Sequence, residues 1–532
     1  MRHALLSLVV LSMGALGLHA QDFEYTVDST TMFSRSAHAL KYSTELSTTL
    51  STGDHAPFWL TSNRHGLSSV ERNSVYFRAG IFRDAHTDST YKWRLGYGAD
   101  FALAGNYTST LIVQQLYADI QYRAGELSIG AKERPMEMKN NRLSTGSQTL
   151  GINARPIPQV RIGLPDWWVV PLTRGWLQLK GHIAYGMMTD DTWQHDFTHR
   201  LTRYADHALF HSKAGYLRIA NEDYDYPLSL EAGLEMAAQF GGTTYRPIGG
   251  VMTEIKNETG AKAFWHAFIP GGGDSYEKNA AFQNAEGNQL GSWMLRVNYD
   301  RRNWRLGVYI DHFFEDHSGL FHLDYDGYGT GSQWNTRKER RYLLYGLKDM
   351  LLGAELNLKR GTWLRDIVFE YMYTKYQSGP IYHDHNPAIS DHIGGQDNYY
   401  NHMLYPGWQH WGQVIGNPLY RSPLYNDDGH IEIENNRFMA FHLAFSGRPT
   451  PQLDYRVLGT WQEGFGSYSR PFTASRRQLS LFAEAQYAFS PASTPLLRGW
   501  SIGLALGYDH GTIVGDNFGT QLTIRKTGIL CK

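Results

Sequence analysis

Apolar and polar residues alternate through most of the chain. In "PLSLEAGLEMAAQF" the residues Leu228, Leu230, Ala232, Leu234, Met236, Ala238 and Phe240 share one face, and Ser229, Glu231, Gly233, Glu235 and Gln239 share the other. In "YKWRLGYGADFALAG", Trp93, Leu95, Tyr97, Ala99, Phe101 and Leu103 oppose Lys92, Arg94, Gly96, Gly98 and Asp100. A period of two belongs to a strand with one apolar and one wet face. It returns in "SWMLRVNY", "NWRLGVYID", "DIVFEYMYTKY", "RQLSLFAEAQYAF" and "GWSIGLALGYD". The pattern predicts strands near 42–50, 74–83, 91–103, 111–123, 126–132, 157–163, 176–187, 213–219, 228–240, 293–300, 304–314, 351–358, 367–376, 438–446, 453–461, 479–489, 500–508 and 518–526. Aromatic residues mark the ends of several faces, among them Trp93, Tyr185, Trp293, Trp304, Trp500 and Tyr508.

These segments number about eighteen, an even count of the kind single-chain bacterial barrels have. Many approach the length of a tilted membrane crossing, about nine to eleven residues, where ordinary strands average about five or six. A large soluble sandwich or propeller would also alternate. However, the chain has no blade-length repeat, and its connections come in two sizes. "DAHTDST", "RAG", "DRRN", "KRGTWLRD" and "SGRPTPQ" alternate with the long inserts 51–73, 133–156, 188–212, 241–292, 315–350 and 377–437. Short turns on one side and long loops on the other are the asymmetry of an outer-membrane barrel. The expectation is therefore an all-β, transmembrane antiparallel β-barrel.

One insert stands out. "KNNRLSTGSQTLGINARPIPQVRIGLPDWW" (Lys139 to Trp168) does not alternate in its first half, and Arg142, Gln148, Asn153, Arg155 and Gln159 crowd around Pro156 and Pro158. A barrel of this circumference has a wide polar interior. The insert is expected to fold inward and help plug it, with the prolines limiting the entropy lost on ordering.

The N-terminus adds an address. "MRHALLSLVVLSMGALGLHAQ" has a basic start, an apolar run from Ala4 to Leu18 and a small-residue end. That reads as a secretory signal over 1–20, cleaved after Ala20, followed by a short periplasmic segment at 21–41 and the barrel at 42–532. No window has the roughly 18 apolar residues of a spanning helix. The single cysteine, Cys531, cannot form an internal disulfide, and no cysteine follows the signal to carry a lipid. A formal net charge of −1 disfavours nucleic acid as a partner. Outer-membrane lipid and, during biogenesis, the β-barrel assembly machinery are the partners such a chain implies.

The stretch "RPMEMKNNRLSTGSQTLGINARPIPQVRIGLPDWWVVP", followed by "RGWLQLKGHIAYG", resembles the capsule assembly Wzi family of outer-membrane proteins. "GDHAPFWLTSNRHGLSS" is similar to the form found in Bacteroidetes-type bacteria, and the likeness runs from about Tyr42 to "LTIRKTG". Its most specific piece is Leu143 to Gln159. The resemblance implies an eighteen-stranded barrel closed by inward-folded loops. It also implies a lectin that anchors or organises exported capsular polysaccharide and is not the export pore. It points to Arg142, Asn153, Arg155 and Gln159, with Trp59, Asn63 and Arg64, as plug or polysaccharide-binding positions. Family members also carry a small periplasmic helical bundle, for which "DWWVVPLTRG" and "ERRYLLYGLKDM" are the candidates here. The chain ends in Leu530-Cys531-Lys532, where many such barrels end in an aromatic assembly signal.

Candidate chemistry lies in the insert 377–437. Tyr382, Tyr399, Tyr400, Trp408 and Trp411 could offer aromatic faces to sugar rings, with Asp397 and Asn398 for hydroxyls. Loop packing is the alternative reading. His383, Asp384, His385, Asp391, His392, His402 and His410 fit no metalloenzyme spacing, so no metal or other cofactor is expected. Glu231, Glu235 and Glu370 are expected to pair with inward arginines such as Arg94 and Arg296 rather than to cleave glycosides. "LSTGS" lacks the strand–elbow–helix context of a serine nucleophile. The chain is therefore read as no enzyme. A porin or sugar-uptake channel is the chief rival, and an outer-membrane hydrolase is a third possibility. N-terminal sequencing of the exported protein is expected to begin at Gln21.

Overall fold

The computed structural model describes residues 38–220, 226–269, 287–315, 324–325, 327–341, 348–382, 385–388, 393–490 and 493–531. Eighteen antiparallel strands form one closed sheet. They are β1 Leu40–Gly53, β2 Asn73–Arg83, β3 Trp93–Gly105, β4 Leu111–Tyr122, β5 Gly125–Ala131 and β6 Gln159–Val169. There follow β7 Leu177–Met187, β8 Leu209–Ile219, β9 Leu228–Phe240, β10 Asn288–Asp300, β11 Trp304–Glu315 and β12 Met350–Leu358. The last six are β13 Asp366–Tyr373, β14 Phe438–Gly447, β15 Leu453–Gly466, β16 Pro471–Ala488, β17 Trp500–Gly511 and β18 Asn517–Cys531. Each strand pairs with the next in the chain. β1 closes the ring on β18, from Leu40 opposite Cys531 to Gly53 opposite Asn517. Closure leaves no sheet edge, which is the condition for strands to stand in lipid.

The alternation sorts side chains between lipid and lumen. Leu103, Ile162 and Leu504 are exposed on the outer face at 54%, 64% and 53%, while Asp100, Asp311 and Glu370 are buried inside at 0%, 0% and 1%. Such an apolar exterior, continued on every strand, is far larger than the patches monomeric soluble proteins show. Trp93, Tyr122, Trp176, Trp304, Trp363, Tyr487 and Trp500 ring the short-turn end, while Tyr185 and Tyr508 lie toward the long-loop end. No helix among the described residues is long and apolar enough to cross a membrane.

All eighteen strands fall where the alternation places them, but several are longer. β8 begins at Leu209, β10 at Asn288 and β16 at Pro471, and β18 runs to Cys531. In β16 the added part is exposed on both faces: backbone pairing outlasts the apolar belt there, and a strand wet on both sides does not alternate. β6 shifts register between Leu164 and Trp168, around Pro165, which has no N–H for the ladder. "DWWVVPLTRG" is the end of β6 and a turn rather than helix. Residues 342–347 of "ERRYLLYGLKDM", the signal and the segment up to residue 37 lie outside the described residues.

The apolar face of β9 is not all lipid-facing. Its upper part, Ala238 and Phe240, is buried against Ala263 and Ala267 of the helix Ala261–Phe268, with Tyr185, Leu209 and Phe264 packed beside them. The ninth connection thus folds back over the barrel exterior. Leu504 lies midway between Trp500 and Tyr508, and Leu504→Arg is expected to cost about 2–4 kcal/mol, the range for a cation at mid-bilayer. Denaturant unfolding in lipid vesicles checks this.

Candidate functional site: the plugged lumen and its outer mouth

The insert 132–158 enters the lumen and is fastened to the wall by β9 to β14. Lys139 and Asp311 form a fully buried ion pair, and Gln148 Nε2 donates to the Asp311 carbonyl at 2.8 Å. Asn140 Nδ2 donates to Glu355 at 2.9 Å, and Thr149 meets Ser292 through their hydroxyls at 2.8 Å. Glu370 is the densest anchor. Its carboxylate accepts from Ser144 Oγ at 2.5 Å, from Thr145 N and Oγ1 at 2.7 and 2.6 Å, and from Tyr309 Oη at 2.5 Å. His442 donates from Nε2 to the Leu143 carbonyl at 2.7 Å. A buried charge is tolerable when hydrogen-bonded in this way. The polar residues of the insert are what the lumen's carboxylates require.

This corrects the expected pairing of those carboxylates. Glu370 is held by the plug rather than by an arginine. Glu235 takes Tyr216 Oη at 2.6 Å, Arg296 pairs with Glu355 at 2.7 Å, and Arg94 donates to the Arg123 carbonyl at 2.6 Å, near the short turns. Glu231 alone of the three has an arginine, Arg218 at 3.5 Å.

Two further inserts complete the plug. Asn153 ties them together: its Oδ1 accepts from Asn63 N at 2.9 Å, and its Nδ2 donates to the Val414 carbonyl at 3.1 Å. Phe58, Trp59 and Leu60 of the first connection join Leu143 and Ile157, and Tyr399, Tyr400, Trp408, Val414 and Tyr420 of the thirteenth, in one apolar cluster inside the barrel. A side chain at Gly416 would strike Tyr400 Oη at 2.0 Å and the Gln148 carbonyl at 2.3 Å, so the two inserts meet backbone to backbone. Beneath them the lumen keeps a cavity of about 670 Å3, reaching from Gln159 and Ile157 to Lys41 and His86 near the short turns.

The sequence-derived site residues divide by depth. Trp59, Asn63 and Asn153 are interior, with Trp59 Nε1 donating to Thr460 at 3.1 Å. Arg142 forks onto Asp454 and Arg64 reaches Glu484 at 3.4 Å, both on the short-turn side of the plug, away from the outer mouth. Gln159 faces Ser212 at 3.5 Å and lines the cavity. Tyr399, Tyr400 and Trp408 are fully buried. Tyr399 donates to Asp349 at 3.1 Å, Tyr400 to the Gln148 carbonyl, and Trp408 to the Thr149 carbonyl at 3.2 Å. Their rings offer no open face to a sugar; they pack the plug, because filling a wide lumen takes large rings. The side chain of Tyr382 lies outside the described residues, as do His383, Asp384, Asp391 and His392.

Asp397, Asn398, Arg155 and Trp411 remain nearer the outside. Asn398 Oδ1 accepts from Asn436 at 2.6 Å, and the Asp397 amide donates to the Gln377 carbonyl at 3.3 Å. Trp411 and Gly412 have φ of 56° and 80°, the left-handed pair that a two-residue hairpin turn needs between Gln409–His410 and Gln413–Val414. The Arg155 guanidinium lies 4.4 Å from the Trp411 ring centre and donates to Thr108 Oγ1 at 2.7 Å. Burial lowers its pKa to about 10, so it stays charged at neutral pH. His410 donates from Nδ1 to the Arg155 carbonyl at 2.9 Å and accepts at Nε2 from Thr189 N at 3.2 Å, so both ring nitrogens are committed.

A second feature of the mouth escaped the sequence reading. Arg203, Arg246 and Arg470 line one outer cleft of about 380 Å3 with Met403, His430 and Glu432. These come from four separate connections, and no spacing in the sequence joins them.

No protein-family model matches the chain, and no curated protein does. Among solved structures it is similar to Wzi of Escherichia coli, an outer-membrane protein involved in group 1 capsule assembly and a carbohydrate-binding β-barrel. The TM-score is 0.53 and the identity 12%, over 93% of this chain and 85% of that one. The chain is therefore a Wzi-like barrel in fold. OccK2 of Pseudomonas aeruginosa, solved with glucuronate, has a TM-score of 0.44 at 8% identity, over 92% of this chain and 98% of that one. OprD of the same organism has 0.42 at 10%, over 92% and 94%.

Glu370→Ala would orphan buried donors of Ser144, Thr145 and Tyr309, at about 1–3 kcal/mol for each group left unpaired. Trypsin is expected to cut the folded variant after Arg142 and to leave the parent protein intact there.

Proposed function

We propose that this chain is an outer-membrane protein of the capsule assembly Wzi family, in the form found in Bacteroidetes-type bacteria. In this reading it is a non-catalytic lectin. It is exported through its N-terminal signal, inserted by the β-barrel assembly machinery, and holds or organises capsular or related polysaccharide at the cell surface. The observation that carries the reading is the plug. Three inserts fill the lumen with a common apolar core and a set of buried hydrogen bonds to the wall, an arrangement suited to sealing a pore rather than conducting through it. What remains for contact with an exported polymer is the outer surface, with Trp411, the polar groups of Asp397 and Asn398, and the arginine cleft. Single-site affinity for a sugar would be low, and many copies gripping one chain would raise it by avidity.

The cavity of about 670 Å3 beneath the plug favours one rival, a channel of the porin or sugar-uptake class that opens by moving the plug. The two readings differ in a planar bilayer: the lectin stays electrically silent, and the channel passes steady current. For the lectin, deletion of the gene is expected to shift polymer from the cell surface to the medium with the total unchanged. Unaltered retention would remove the proposal.

A further inference from the structure

The outer cleft carries more cation than its surroundings neutralise. Arg470 has a partner, Glu432, at 3.2 Å. Arg203 and Arg246 have no carboxylate partner among the described residues. Arg203 Nη1 donates to the carbonyls of His402 and Met403, the latter at 3.2 Å, and Arg246 reaches the Met403 carbonyl at 3.5 Å. The Nε of Arg203 is buried and has no acceptor among the described residues. Nearby groups do not make up the deficit. His430 is paired with Asp428 at 3.0 Å, and burial, with Arg203 beside it, pulls His402 down to about 3, so it is neutral.

Collecting three guanidinium groups around one carboxylate is repulsive. The cost is reflected in Arg203, whose pKa is lowered by burial and, against the opposing pull of Glu432, by Arg246 and Arg470. A small outer sheet pairs Tyr245 with Tyr204, so its register sets Arg246 beside Arg203; Arg470 is brought to them from another outer connection, where no register requires it. A buried guanidinium donor without an acceptor is the other half of a site that an anion would complete. The planar fork matches a carboxylate oxygen pair, and a volume of about 380 Å3 falls in the range of about 300–1,000 Å3 typical of small-ligand pockets.

We infer that the cleft of Arg203, Arg246 and Arg470 binds an acidic sugar residue of a surface polysaccharide, its carboxylate taken by Arg203 and Arg246. The inference rests on the lectin reading and names its substrate class: a polyanionic glycan, bound at the outer rim rather than in the lumen. Met403 and Pro247, which also line the cleft, supply apolar surface for the C–H face of the ring.

The test uses the detergent-purified full chain. Polygalacturonate fragments, dextran of equal length and lipopolysaccharide are titrated separately against the parent protein, Arg246→Gln, Arg246→Lys and the double variant Arg203→Gln/Arg246→Gln. Polygalacturonate is expected to bind at low salt and dextran at least tenfold more weakly. Arg246→Gln should lose about tenfold and the double variant all measurable preference, while Arg246→Lys keeps part of it. Fold is checked by the gel shift between heated and unheated samples. Equal binding of dextran, polygalacturonate binding undiminished in the double variant, or preference for lipopolysaccharide over polygalacturonate would each overturn the inference. Failure of the function itself reads differently. If deletion leaves polymer retention unchanged while the cleft still selects polygalacturonate, the lectin reading falls and the cleft stands. If deletion releases polymer and the double variant restores retention in full, the cleft alone falls.

Discussion

Everything in this molecule depends on backbone pairing that has no end. In lipid an unpaired N–H or C=O cannot turn to water, so the sheet must return on itself. It does so where β18 meets β1 along the whole of β1. Closure at eighteen strands fixes the circumference, and a circumference of that size leaves a lumen too wide for wall side chains to fill. The wall cannot be apolar on both faces without losing the distinction between outside and inside. Its inner face is therefore studded with Asp100, Glu235, Asp311, Glu355 and Glu370, each requiring a donor.

The plug answers both demands. Its polar insert supplies donors at the depths where the carboxylates sit, Lys139 to Asp311 and Ser144 and Thr145 to Glu370. Behind that layer, Trp59, Tyr399, Tyr400 and Trp408 fill volume. The result resembles a globular core poured into a membrane cylinder. It also partitions the functional possibilities: Arg64 and Arg142 are sealed to the short-turn side, Arg155 is buried against Trp411, and Trp411 and the arginine cleft belong to the outside.

The outer surface is where the chain departs from a well-neutralised interior. Inside the barrel the arginines are mostly paired, as Arg78 is with Asp100 and Glu133 and Arg296 is with Glu355. In the outer cleft two are not. A protein under no demand but stability gains nothing from that arrangement, and an anionic polymer at the cell surface would relieve it. The helix Ala261–Phe268, laid along the exterior of β9, shows that the long connections reach outward as well as into the bore.

The order and phase of the strands were legible in the sequence because lipid and water impose opposite demands on alternate residues, and that demand is local. So were the side to which the long loops belong and the inward fate of the Leu143–Gln159 insert, since polar inserts between lipid-facing strands have few other places to go. The extra length of β16 was not legible, because a strand wet on both faces carries no period. Nor was the role of the aromatic insert: Tyr399, Tyr400 and Trp408 look alike whether they face a sugar or fill a bore, and only the packing around them decides. The pairing of each lumen carboxylate, and the meeting of Arg203, Arg246 and Arg470 from loops far apart in the chain, depend on how a closed ring brings distant connections to one rim. Sequence alone determined a cylinder with a wet, occluded inside; tertiary structure decided which groups are spent in the seal and which are left over for a ligand.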